Sequence, residues 1–330
     1  MSTLHVFNPD HDYALAVGEN VYVSPGKIRK IAADMQFLPR YWAGPKDYIL
    51  LADNMLYSIA EQCVIPLSEA DGKIEKIFPW GWDHTLVMRL RAFGFPEKLL
   101  PCKEKINEMR RLSHRRISID LNRSLGSPFI PRECKSVEEA KNFLQLHPYA
   151  FFKAPWSSSG RGIVNSRRMP AENLFAWIKG IINKQGSVLA EKGAEKRLDF
   201  ATLWWCRNDS VEFCGFSLTE ADDKGQYLGN YYGPQSRLKE AIKKETDEDL
   251  DEVVLLQKAF LRREVLPFYE GPLGIDMVID DEGKIWPAIE LNLRNTMGHA
   301  ALNYQRFIDK NGQEKALNPV FTEYENRDNR

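Results

Sequence analysis

The 330-residue sequence is most usefully approached through what it has little of. No apolar run approaches the roughly 20 residues a bilayer-spanning helix requires, which excludes a helical membrane span. The opening residues MSTLHVFNPDHD lack the basic-then-apolar order of a secretory leader, so the cytoplasm is the expected compartment. Cysteine is scarce: Cys63, Cys102, Cys134, Cys206 and Cys214 are odd in number and include no CxxC pair, which fits reduced thiols rather than a disulfide framework. Cys206 and Cys214 flank an expected turn at Asn208-Asp209 and could face each other, where two buried, unpaired thiols are expected in preference to a bridge. A formal net charge of -1 argues against a general nucleic-acid binder. No internal repeat is visible.

What is present is ordinary in bulk and specific in detail. Hydrophobic residues make up 43% and charged residues 28%, as in soluble globular proteins, and 330 residues exceed one ordinary domain, so two or three lobes are expected. The chain opens with a short strand, LHVF, followed by Asn8-Pro9-Asp10-His11-Asp12. That loop is read as a helix cap, with a substrate-contacting role preferred over a metal site because strand ends in open α/β sheets carry ligand loops. Short apolar runs then alternate with turns and helices up to Pro101, which predicts a small α/β lobe. Trp80, Trp82 and His84 are expected to serve packing and a helix start. The basic stretch from Cys102 to Arg123 has helical apolar spacing at Ile106, Met109, Leu112, Ile117 and Leu121, so most of its charges are expected on a solvated helix face, with one or two reaching a phosphate.

The densest chemistry lies in GPLGIDMVIDDEGKIWPAIELNLRNTMGHAA, residues 271–301. Ile275 to Ile279 and Lys284 to Leu291 are β-prone runs around the turn composition Asp280-Asp281-Glu282-Gly283, which predicts a hairpin. Glu290 and Asn292 share a strand face, and folding the hairpin brings Asp276 opposite Ala288 to Glu290, with Pro287 marking a bulge or an edge. Two carboxylates and an amide are hard oxygen ligands that suit Mg²⁺. A solvated strand face is the alternative for any one of these acids; the three together, followed by Arg294, Asn295 and Gly298, favour a metal-phosphate site.

A second informative stretch is AFFKAPWSSSGRGIVNS, residues 150–166. Ala150 to Lys153 reads as a strand that delivers a lysine, and Ser157-Ser158-Ser159-Gly160-Arg161-Gly162 as a loop of small residues. Such a loop lets backbone N–H groups approach phosphate oxygens, although an ordinary connection has the same composition. It is not the GxxxxGK[ST] phosphate loop. Further on, an amphipathic helix is predicted over Pro170 to Lys184, a strand over Ser187 to Glu191, a hairpin from Phe200 to Leu218, and a helix from Val253 to Pro267.

Between about Lys103 and Asn303 the order of these features resembles the ATP-grasp superfamily: a strand lysine with a small-residue loop, the VLAEK strand, a hairpin, then GIDMVID and IELNLRNTMG. The resemblance implies a mixed α/β and α+β architecture, the ATP-grasp fold with an N-terminal Rossmann-like (pre-ATP-grasp) α/β lobe. The expected lobes are 1–104 for that N-terminal part, 105–186 for the ATP-grasp small lobe, and 187–330 for the large lobe with a C-terminal tail. It further implies ATP and Mg²⁺ as cofactors. Lys153 and the segment Ser157 to Gly162 are placed at the phosphates, Glu191 and Lys192 beside the adenine, Asp199 at the ribose, and Asp276, Glu290 and Asn292 at the metal. Arg115 stands where many members have a further nucleotide-contacting lysine. The arginine that many ligase members carry before the first metal acid is replaced by Gly274-Ile275, and Arg294 or Arg237 is expected to stabilise the transferred phosphate instead.

The reaction implied is activation of a small-molecule or peptide carboxylate as an acyl phosphate, followed by attack of an amine, with selectivity expected in the N-terminal lobe and in Asn230 to Arg237. The partners are thus an acid and an amine, with neither nucleic acid nor membrane. A small-molecule kinase on the same scaffold and a catalytically inactive nucleotide-binding protein are the alternatives.

Overall fold

Short apolar runs interrupted by turns bury little surface singly, and here they are gathered into sheets that helices cover. The computed structural model describes residues 2–70, 72–157, 162–221, 227–312 and 321–324. The chain divides into two compact units, one made of residues 1–109, 217–238 and 293–330, the other of 110–216 and 239–292.

The first unit starts with β1 (Ser2–Val6), α1 (His11–Val17), α2 (Gly26–Asp34), β2 (Tyr48–Leu50), β3 (Leu56–Ser58), β4 (Cys63–Ile65), β5 (Ile74–Pro79) and α3 (His84–Ala92). Its sheet has the order β4-β3-β2-β1-β5, with β1 parallel to both β2 and β5 and an antiparallel edge formed by β3 and β4. The expected opening strand is thus an interior strand of an α/β layer, between β2 and β5, and loops follow β1 and β5 at their C-terminal ends, where ligand loops belong in such sheets.

α4 (Lys103–Leu112) carries the chain into the second unit, and α5 (Ile117–Ser124) follows. The basic stretch is therefore two helices rather than one continuous solvated face. The break falls at Ser113 to Arg116, where the Arg115 backbone N–H donates to the Pro155 carbonyl at 3.1 Å instead of to its own helix.

Next come β6 (Arg132–Cys134), α6 (Val137–Leu146), β7 (Ala150–Lys153), β8 (Ile163–Asn165), α7 (Ala171–Gln185) and β9 (Val188–Lys192). They form a four-stranded sheet of order β6-β9-β7-β8. Phe143, Phe152, Leu174, Ile178 and Ala190 make its core against α6 and α7. Ser136 caps α6 through its hydroxyl, which accepts from the Glu139 N–H at 3.1 Å.

β10 (Lys196–Arg207) and β11 (Ser210–Ala221) form the expected hairpin, turning at Asn208 with φ of 50°. Cys206 is buried but Cys214 is only partly so, because Cys214 shares a strand face with exposed Glu212; neither forms a disulfide among the described residues. The end of β11 lies in the first unit, where it pairs with β12 (Tyr227–Tyr232). α8 (Gln235–Lys243) leads back to the second unit, followed by α9 (Leu250–Phe260), β13 (Gly271–Asp280) and β14 (Ile285–Asn292). β13 lies between β10 and β14.

The chain then returns to the first unit as α10 (Met297–Asn311) and β15 (Phe321–Glu323), the latter parallel to β12. Tyr304 of α10 meets Tyr41, Tyr232 and Phe321 at ring-centroid distances of 4.9, 5.0 and 5.3 Å, closing a core with Phe7 and Trp80. Among the described residues no helix is long and apolar enough to cross a membrane.

Candidate active site

In the second unit, antiparallel pairing sets Asp276 directly across from Glu290 and Gly274 across from Asn292. Asp280 closes the hairpin: one carboxylate oxygen accepts from the backbone N–H groups of Glu282 (3.1 Å) and Lys284 (2.8 Å), the other from the Trp286 indole (2.9 Å). The register shifts between Asp276 and Val278, opposite the stretch containing Pro287. This irregularity brings Glu290 rather than Ala288 into line with Asp276. The Asn292 amide nitrogen donates to Asp276 Oδ2 at 2.9 Å, so the three side chains form one patch.

Arg115 reaches this patch from the helix break and is 3% exposed. Nη2 donates to both Glu290 oxygens, at 2.8 and 2.9 Å, and to the Ser157 carbonyl at 3.4 Å. Nη1 donates to the Ala154 carbonyl at 2.5 Å and to Ser157 Oγ at 2.6 Å. Buried Nε has no hydrogen-bond partner among the described residues. One guanidinium therefore fastens the residue after Lys153, and the start of the small-residue loop, to a carboxylate of the hairpin.

Lys153 and Glu191 form an ion pair with side-chain exposures of 6% and 8%. Antiparallel β7 and β9 place Phe151 opposite Glu191 and Lys153 opposite Leu189, so the two charges are diagonal neighbours on one sheet face. The loop root is equally defined: Ala154 N–H donates to the Gly162 carbonyl at 2.8 Å, and a Cβ on Gly162 would stand 2.3 Å from the Ser157 side chain. Ser158, Ser159, Gly160 and Arg161 lie outside the described residues. Asp199 pairs with Lys196 and retains 29% side-chain exposure.

A cavity in the same unit is lined by Glu191, Lys192, Asn122, Phe129, Trp286 and Ala288, among others. Phe129 and Trp286 stack nearly parallel within it, with centroids 4.0 Å apart and planes at 10°. Sequence reasoning missed this aromatic pair. Trp286 stands four residues before Glu290 on a strand, a period-two signal that was available; Phe129, in an irregular proline-flanked segment, carried none. Beside the site, His114 packs edge-on to Trp156 at 4.6 Å. Its burial, and then the charges of Arg116, Arg110 and Arg115, lower its pKa to about 3, so the ring is neutral.

Arg294 and Arg237 belong to the first unit. Arg237 is exposed near the start of α8. Arg294 is held by Asp12, with Nε at 3.1 and 3.0 Å from its two oxygens and Nη2 at 2.9 Å, and Nη1 donates to the Asn295 carbonyl at 3.1 Å. The surrounding loop is a built structure. Asn8 donates to the Gly81 carbonyl (2.8 Å) and to Asp83 (3.2 Å), and His11 Nδ1 lies 3.4 Å from the same Asp83 carboxylate. Asp83 also caps α3 by accepting from the Leu86 N–H at 2.8 Å.

No protein-family model matches the chain. A curated relative, the [butirosin acyl-carrier protein]--L-glutamate ligase of Niallia circulans, is 28% identical over 171 residues, which cover 49% of this chain and 38% of that protein's length. Among solved structures, the biotin carboxylase of Campylobacter jejuni in a βγ-ATP complex superimposes with a TM-score of 0.53 at 14% identity, covering 94% of this chain and 71% of that one. Phosphoribosylamine--glycine ligase of Thermotoga maritima gives a TM-score of 0.52 at 14% identity, over 91% of this chain and 70% of that one. These are ATP-grasp proteins, and the chain has the ATP-grasp fold.

Proposed function

We propose that this protein is an ATP- and Mg²⁺-dependent, ADP-producing carboxylate-amine ligase, with residues 1–104, 105–186 and 187–330 as its working lobes. The observation that carries the reading is the Arg115 bridge, which joins the strand of Lys153 and the root of the loop to the Glu290 carboxylate within one unit. The donor set fits a hard divalent cation: Asp276 and Glu290 are register partners, and the Asn292 amide lies against Asp276.

Asp276, Glu290 and Asn292 would hold Mg²⁺, which would supply positive charge to offset the charge that spreads during phosphoryl transfer. Lys153, Arg115 and the segment from Ser157 through Ser158, Ser159, Gly160 and Arg161 to Gly162 bind the phosphates. Glu191, Lys192 and Asp199 orient the nucleoside, with Trp286 and Phe129 as its apolar neighbours. A substrate carboxylate attacks the γ-phosphorus and ADP leaves; an amine then attacks the acyl phosphate, loses a proton and expels phosphate to leave an amide. Excluding water from the acyl phosphate is the task of the small-residue loop. In the first unit, Arg294 and Arg237 serve as the anion-binding arginines, and the Asn8 to Asp12 loop with Asn230 to Arg237 selects acid and amine. Cysteines without a disulfide among the described residues suit a reducing, cytoplasmic setting.

L-Glutamate, named in the curated relative's activity, is the first amino acid to supply in a screen of acids and amines for ATP-to-ADP conversion with product masses recorded. ADP release that requires both an acid and an amine, with an amide product, is the expected result. Release with an alcohol alone identifies a kinase, and Mg²⁺-dependent ATP binding without turnover on any pair refutes the enzyme reading.

A further inference from the structure

We infer that Arg115 is a positioning residue that couples cation binding to nucleotide binding: its guanidinium holds Glu290 and surrenders it when a polyphosphate draws the guanidinium away. The inference rests on the reading that ATP and Mg²⁺ use this site.

The geometry supports an exchange. Both Glu290 oxygens accept from the same Arg115 nitrogen, at 2.8 and 2.9 Å, so a divalent cation entering beside Asp276 meets a carboxylate already engaged by a positive charge. Like charges at such separations repel strongly where water is scarce, and Arg115 is 3% exposed. The guanidinium is nevertheless not at its best arrangement, since buried Nε has no hydrogen-bond partner among the described residues. A buried, unmet donor is costly, and a phosphate oxygen can relieve it.

The backbone does not need to move for the exchange. Arg115 N–H is fixed to the Pro155 carbonyl at 3.1 Å, and its carbonyl accepts from Ser118 Oγ at 2.8 Å. Rotation of the side chain suffices. Two oxygens of one phosphate group can accept from the guanidinium fork, which the contact of the single Nη2 with Glu290 leaves unused, and they carry more charge. Cation and nucleotide then each make room for the other, which is positive coupling.

The test measures Mn²⁺ binding to the full chain by calorimetry and by the electron-spin signal of free Mn²⁺, with and without ADP, correcting for Mn²⁺ bound by ADP in solution. Wild type is expected to bind Mn²⁺ at least tenfold more tightly with ADP present. Arg115→Met should bind Mn²⁺ about tenfold more tightly than wild type without nucleotide and lose most of the ADP effect. Arg115→Lys, which keeps the charge but not the fork, should fall between the two and serves if the methionine variant does not fold. Arg116→Met removes an equal charge from a half-exposed side chain that pairs with Glu133, and should change nothing. Folded Arg115 variants with wild-type Mn²⁺ affinity and undiminished coupling overturn the inference. If wild type binds no Mn²⁺ with ADP, or Glu290→Gln binds it as well as wild type does, the failure lies in the underlying site reading.

Discussion

The Lys153–Glu191 pair separates folding from function in one experiment. With 6% and 8% side-chain exposure, each charge depends on the other for compensation. Lys153→Met or Glu191→Leu alone leaves an isolated buried charge and should cost about 3–5 kcal/mol, whereas the double variant, an apolar pair of similar volume, should lie within about 1 kcal/mol of wild type. For a unit of this size each 1 kcal/mol shifts Tm by roughly 2–4 °C, so each single variant should melt at least about 6 °C low and the double variant should recover. Urea unfolding of all four proteins gives the cycle directly. ADP binding by calorimetry gives the second axis: the double variant should be as stable as wild type yet bind ADP at least tenfold more weakly, because the lysine that meets the phosphates is gone. Additive single losses would refute the mutual-compensation argument, and unchanged ADP affinity in Lys153→Met would remove that lysine from the nucleotide site.

Asp276→Asn keeps the contact with Asn292 in shape but removes one of two carboxylates, so Mn²⁺ affinity in the presence of ADP should fall at least tenfold while Tm stays within a few degrees of wild type. Gly162→Ala drives a methyl to 2.3 Å from the Ser157 side chain, and the resulting overpacking should cost about 1–3 kcal/mol in urea unfolding and weaken ADP binding with it. For His114, the folded ring resists protonation down to about pH 3 while the unfolded ring protonates near 6.5. Its contribution to stability is therefore complete above about pH 6.5 and lost as pH falls toward 3, at up to about 1.4 kcal/mol per pH unit. Unfolding free energies of wild type and His114→Gln, measured between pH 7 and 4, should converge as the solution is acidified; parallel curves would contradict the neutral, buried imidazole.

The hairpin carrying Asp276 and Glu290 was legible because local rules agree there: β-prone runs, turn-forming acids and Pro287 all describe the same register, and Asp280 satisfies the turn itself. The amphipathic helix α7 was legible for the same reason. Long-range partners were not. Nothing in a period of two or 3.6 says that Lys153 meets Glu191, or that Phe129 lies on Trp286, since those pairings depend on which strands and loops become neighbours.

Arg115 shows most clearly how a local rule misleads. In a run with Arg110, Arg111, His114, Arg116 and Arg123, charge pattern assigns most of the charges to a solvated helix face without saying which one or two depart from it, and for exposed Arg123 that assignment is right. The helix breaks at Ser113 to Arg116 because the chain exchanges helical hydrogen bonds for a link to Pro155 and a guanidinium with five acceptor contacts. No propensity scale contains that exchange: its gain resides in acceptors from residues 154, 157 and 290, which become neighbours only after the sheets have formed. An ionic contact that breaks a helix to bury an arginine beside the principal acid of a candidate metal site is better explained by use than by stability, since buried ion pairs stabilise folds little compared with apolar packing.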